Sequence, residues 1–139
     1  MKIILDTNLL VAAMFNPRSA AARILALVLE GKVALLWHPR LRDEARLITG
    51  RIQRAVPRVA IDLDRLFLDE HCVREMPDLH GISADPDDDK FIACAVAGQA
   101  EMIVSNDRDL LDLDSYQNIP IVTPSQAWKM IENRMCGDC

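Results

Sequence analysis

The chain has 139 residues, 16 Lys and Arg against 21 Asp and Glu, a formal charge of −5, and 50% apolar residues with only 4% aromatic. That is the length of one domain, able to bury roughly 70% of its unfolded surface without disulfides or a structural metal. The negative balance argues against a sequence-independent phosphate binder working through Lys and Arg alone, and no apolar run reaches the ~18 residues of a membrane span. The N-terminus reads as a strand entering a polar turn rather than as a secretory signal, so a cytoplasmic location is expected.

Residues 2–5 read as a buried strand that runs into Asp6-Thr7-Asn8. Leu9–Phe15 reads as a short helix ended by Asn16-Pro17. Ser19 is placed to cap a helix over residues 20–30, with Gly31 as its stop. Residues 33–37 read as a second strand. Pro39 opens a helix to about Ile48, stopped near Gly50, and further helices are expected at residues 51–55 and 59–68. Residues 72–74 suit a short strand. Pro86 suits the first turn of a helix ending near Ala97 and Gly98. Residues 102–105 read as a strand, 107–111 as a helical turn and 119–122 as the last strand. Thr123-Pro124-Ser125-Gln126 is a capping box that opens a C-terminal helix to about Met135. The domain is thus expected over residues 1–135, with 136–139 as a tail.

Strands that are continuous apolar runs, alternating with helices, predict an α/β fold with a parallel sheet covered on both faces. Ligands of such sheets sit outside the carboxyl ends of the strands. Asp6 and Asp107 fall at those ends, so both point to one edge of the sheet.

Each acid also has a plain structural reading. Asp6 could cap the helix after it. Glu44, with Asp43 beside it, could be a solvated helix residue paired with Arg40 or Arg46. Asp107 and Asp109 could cap the turn before Leu110-Leu111. Asp85, Asp87 and Asp88 suit the favourable end of a helix dipole, and we read them as capping residues. Helical spacing does not choose cleanly between Asp88 and Asp89, because Phe91-Ile92-Ala93 is apolar on nearly every side. None of His38, His71 and His80 sits in a zinc pattern, and they read as surface or structural residues. Cys94 reads as a buried hydrophobe. Cys136 and Cys139 form a C-x-x-C with no partner pair, which reads as a frayed tail rather than a zinc or redox site.

Taken together, Asp6-Thr7-Asn8 after the first strand, Glu44 on an early helix, Asp89-Lys90-Phe91-Ile92-Ala93 and Ser105-Asn106-Asp107-Arg108-Asp109-Leu110-Leu111 resemble a PIN domain. The stretch Asp85–Lys90 followed by Ser105–Leu111 is similar to the PIN-type toxins of toxin–antitoxin pairs. The resemblance spans nearly the whole chain, and its specificity lies in the order and spacing of the motifs. It implies a three-layer α/β/α fold with a central, mainly parallel five-stranded sheet, and a metal-dependent ribonuclease. Carried over by position, the catalytic and metal-binding residues are Asp6, Glu44, Asp89 and Asp107. Asn8 and Ser105 would support them, and Asp109 would be an extra ligand. A homodimer and a protein antitoxin are the implied partners.

Mg²⁺ or Mn²⁺ is the expected cofactor, because hard cations take oxygen ligands. Two like charges about 4 Å apart repel by around 4 kcal/mol at an effective dielectric near 20, so a carboxylate cluster needs a cation. The ion would activate water for attack on phosphorus, leaving the 5′ phosphate and 3′ hydroxyl that the resemblance implies. Arg40, Arg46 and Arg108 flank the acids and are candidates for RNA phosphate contacts, or simply a solvated face. No interleaved aromatics suggest base reading. A PIN scaffold that acts by binding a partner is the alternative. A receiver-like phosphotransfer domain would need a Lys after a late strand, and Val122-Thr123-Pro124 supplies none.

Overall fold

The structure, a computed structural model, describes residues 1–137. In chain order the elements are β1 (Lys2–Leu5), α1 (Thr7–Phe15), α2 (Ala20–Leu29), β2 (Ala34–Leu35), α3 (Pro39–Ala55), α4 (Leu63–Leu66), α5 (Asp89–Gly98), β3 (Met102–Val104), α6 (Arg108–Leu111), β4 (Ser115–Tyr116), β5 (Ile119–Val122) and α7 (Pro124–Gly137). Short 3₁₀ turns lie at Asp69–His71 and Pro86–Asp88. The strands form one five-stranded sheet in the order β2-β1-β3-β5-β4. Only the β4–β5 pair is antiparallel.

Strand alternation divides the core into two layers. Ile3 and Leu5 of β1, with Met102 and Val104 of β3, pack with Leu9, Ile24, Val28, Ala127 and Ile131. Ile4 and Ile103 point the other way, onto Phe91, Ile92, Leu110 and Ile121. Helices α1, α2 and α7 therefore cover one face, and α5 and α6 the other. This is the expected three-layer α/β/α arrangement. Each fully buried aliphatic or aromatic side chain contributes about 1.5–3 kcal/mol, which lets short strands persist at the centre.

Several elements differ from expectation. Helix α3 runs through Gly50, so the separate helix expected at 51–55 is its final part. An interior Gly costs about 1 kcal/mol, but Leu41, Ala45 and Thr49 keep the buried face continuous, and the Thr49 hydroxyl donates to the Ala45 carbonyl at 2.6 Å. The helix expected at 59–68 is only the four-residue α4. The second strand is two residues long, and Trp37 bridges in parallel to Cys72 where another strand was expected. Helix α5 ends at Gln99, whose φ of 55° is left-handed. Gly98 matters for space instead, since a Cβ there would lie 2.7 Å from Leu36 Cδ1 and 2.9 Å from Val73 Cγ2.

Strand β4 has no counterpart in the sequence reading. It turns into β5 through Gln117 and Asn118, with φ of 48° and 67°, the double left-handed conformation of a type I′ hairpin. The capping box at Thr123 forms as expected: the Gln126 N–H donates to Thr123 Oγ1 at 3.2 Å, and the Thr123 N–H to Gln126 Oε1 at 2.9 Å. Helix α7 continues past Met135 and takes in Cys136. Cys139 lies outside the described residues, and so does any pairing of the two. Among the described residues no helix is long and apolar enough to cross a membrane.

Candidate metal centre

Strands β1 and β3 are parallel neighbours, so the chain leaves both at the same sheet edge. The Asp6 N–H donates to the Val104 carbonyl at 3.0 Å, which fixes the start of the site to the sheet itself. Asp6 caps α1: its Oδ1 accepts from the Asn8 N–H at 3.2 Å. Its Oδ2 accepts from the buried Ser105 hydroxyl at 2.7 Å. The same Ser105 oxygen accepts from the Asp107 N–H at 2.9 Å. Asp107 in turn caps α6, accepting from the Asp109 N–H at 2.8 Å. One hydroxyl thus ties the two acids together. Ser105→Ala leaves a donor and an acceptor without partners and should cost about 1–3 kcal/mol in a denaturant melt. A change under about 0.5 kcal/mol would show that the tie carries no energy.

Asp6 is 4% exposed. Burial pushes its pKa up, and the charges of Asp107 and Glu44 push it further, against the hydrogen bonds from Ser105 and Asn8. A carboxylate held this way favours either a proton or a cation.

The structure gives the neighbours Asp88 and Asp89 different surroundings. Asp89 is hydrogen-bonded to the loop before it. Its Oδ1 accepts from the Ser83 N–H at 2.7 Å and its Oδ2 from the Ile82 N–H at 3.4 Å, so it clips the preceding loop to α5. Asp88, expected as a capping residue, is the one whose charge couples to Asp107 and Asp6. It is 7% exposed, and no donor reaches its buried Oδ2. Its pKa is pushed up to about 7, first by burial, then by the charges of Asp107, Asp6 and Asp85, and last by a hydrogen bond that its protonated carboxyl shares with the Asp107 side chain. Asp88 also makes no cap hydrogen bond to α5. The capping expected at Asp85 is present, with its Oδ1 accepting from the Asp87 N–H at 3.0 Å. The difference lies in the partners: the Ser83 and Ile82 N–H groups take the Asp89 carboxylate, and none reaches the Oδ2 of Asp88.

Among the described residues, Asp85, Asp88 and Asp109 offer carboxylate oxygens that all lie within 4.8 Å of one another. This group can hold a divalent metal. Asp88 is its buried member, and it links the group electrostatically to Asp6 and Asp107. Ser83 supports the same corner, donating from its hydroxyl to the Asp109 carbonyl at 3.4 Å; nothing in the sequence marks it.

Glu44 borders the site but is already engaged. Its Oε2 accepts from the Thr7 hydroxyl at 2.6 Å and its Oε1 from Lys90 Nζ at 3.0 Å. Asn8 is exposed and supplies only its backbone N–H to Asp6. Arg40, Arg46 and Arg108 are exposed, and Arg46 pairs with Asp64 at 3.3 Å. His38 caps α3, accepting from the Arg40 N–H at Nδ1; burial and Arg40 lower its pKa. Burial pushes the Cys94 thiol up to about 12, which leaves it an inert core residue. The groove of about 580 Å³ between α3 and residues 60–64 is lined by none of these acids.

The chain is similar to an uncharacterized protein of Methanocaldococcus jannaschii, 26% identical over 117 residues that cover 81% of this chain and 75% of that one. No solved structure matches it. The family model described as PIN domain matches residues 2–109, which hold β1, β3 and every acid of the site. With the five-stranded sheet and the acidic edge in place, the chain belongs to the PIN domain family.

Proposed function

We propose that the protein is a Mg²⁺- or Mn²⁺-dependent endoribonuclease and the toxin of a toxin–antitoxin pair. The observation that carries the reading is the buried, unpartnered Oδ2 of Asp88, set beside Asp6 and Asp107. Unpaired buried carboxylates are costly, and a hard cation relieves that cost with oxygen ligands. Asp6, Asp88 and Asp107 would hold the ion, with Asp85 and Asp109 on its exposed side. A bound ion supplies activation of water and offsets charge on the phosphate. Ser105 keeps Asp6 oriented, and Asp107, as the cap of α6, is fixed by the Asp109 N–H. Arg40, Arg46 and Arg108 are the proposed RNA phosphate contacts. A homodimer and a protein antitoxin complete the reading.

The test is cleavage of varied RNAs with Mn²⁺ or Mg²⁺. Activity should vanish with EDTA and fall about 100-fold with Asp6→Asn; a fully active Asp6→Asn protein contradicts it. Metal binding without turnover on any RNA would favour the scaffold reading. For the toxin role, the product of a small adjacent reading frame should suppress the activity when co-expressed.

A further inference from the structure

Lys90 is the one buried lysine among the described residues. Its side chain is 5% exposed and pairs with Glu44. Its Nζ donates to Glu44 Oε1 at 3.0 Å and to the Asp87 carbonyl at 2.8 Å, and lies 3.1 Å from Asp87 Oδ2. The three donors of an ammonium are thus matched by three oxygens. This oxygen shell, two carboxylates and a carbonyl, is the kind a hard divalent ion takes. Thr7 holds the other Glu44 oxygen. Thr7 directly follows Asp6, so its 2.6 Å bond sets Glu44 beside the first acid of the site, and Lys90 stands two positions after Asp88.

We propose that the Lys90 ammonium takes the place of a second metal, so that the site holds a single divalent ion and Glu44 serves as the partner of Lys90 rather than as a metal ligand. This rests on the metal-binding reading above. Two-metal nuclease sites place their ions about 4 Å apart and use both to clamp the phosphate. Here the second position is covalently supplied by the chain. It needs no ion from solution and adds one positive charge rather than two. Glu44 is then a positioning residue: with Thr7 it fixes the ammonium beside the metal ligands.

Equilibrium dialysis and calorimetric titration with Mn²⁺ test this without reference to activity. The wild-type chain should bind one ion and Lys90→Met two, the second on the freed Glu44 and Asp87 oxygens. Glu44→Gln keeps the Thr7 contact and should still bind one ion, within about threefold of wild-type affinity. Two ions in the wild type, one in a folded Lys90→Met, or a tenfold or larger affinity loss in Glu44→Gln (about 1.4 kcal/mol) would each overturn the assignment. Where Lys90→Met does not fold, the wild-type count and the Glu44→Gln affinity decide. No ion in folded wild-type protein would overturn the metal reading itself, whereas a wild-type count of one with a Lys90→Met count of one removes only the role of Lys90.

Discussion

Asp88→Asn should lower Mn²⁺ affinity and metal-dependent RNA cleavage by about two orders of magnitude, while Asp89→Asn leaves Mn²⁺ affinity within a few-fold. The two residues are neighbours of the same type, yet their surroundings differ in kind. Asp88 is buried with an oxygen that no donor reaches, and it feels the charges of Asp107 and Asp6. Removing its charge takes away a ligand and also a source of repulsion, so the metal-free variant should melt no lower than wild type. Asp89 already has its donors, the Ser83 and Ile82 N–H groups. Hydrogen bonds to a charged group are worth about 1.5–3 kcal/mol, so Asp89→Asn should lower stability by about that much and loosen the 82–83 loop. Calorimetric titration and thermal unfolding of the two variants separate the roles. Tight Mn²⁺ binding by Asp88→Asn together with its loss in Asp89→Asn would reverse them.

The second large effect is a pH dependence that metal removes. Without metal, burial and the neighbouring acids push the Asp88 pKa up to about 7, from an ordinary 3.8. Between those values the folded state keeps a proton that the unfolded chain has released. Stability then falls as pH rises through the interval, because the folded state binds more protons. Asp6 shifts in the same direction, again chiefly by burial, and adds to the slope. Metal-free protein should therefore lose stability from about pH 4 to about pH 7 and change little above it. Saturating Mn²⁺ favours the ionised carboxylates and should raise the melting temperature most near neutral pH. A melting temperature that rises over this interval without metal would contradict the burial of these charges.

Much of this architecture was legible in the sequence because the signals were local. The apolar runs at 2–5 and 102–104, the Ser19 cap and the Thr123–Gln126 capping box each specify an element through their own residues, and each formed. Asp6 and Asp107 were legible for the same reason: a parallel strand must deliver the residue after it to the sheet edge; Ser105 came only through the family resemblance. What escaped depends on geometry that residue type does not encode. The Pro86–Asp88 segment winds as a 3₁₀ turn before α5 begins. The Ser83 and Ile82 N–H groups reach Asp89 only once the 82–83 loop has folded back onto α5, and residue type does not announce that contact. The pairing of Glu44 with Lys90 joins residues 46 positions apart and exists only after α3 packs beside α5. Strand β4 is two residues long and depends on left-handed Gln117 and Asn118, with no glycine to announce the turn. Gly50 looked like a helix stop, but the buried face of α3 carries the helix past it.

The most direct measurement is the position of Mn²⁺ in crystals of the wild-type protein, located by its anomalous scattering. One peak per chain is expected, within coordination distance of the Asp6, Asp88 and Asp107 carboxylates, with Lys90 still bound to Glu44. A peak coordinated by Asp89 and Glu44 instead, or none at this sheet edge under saturating Mn²⁺, would contradict the assignment.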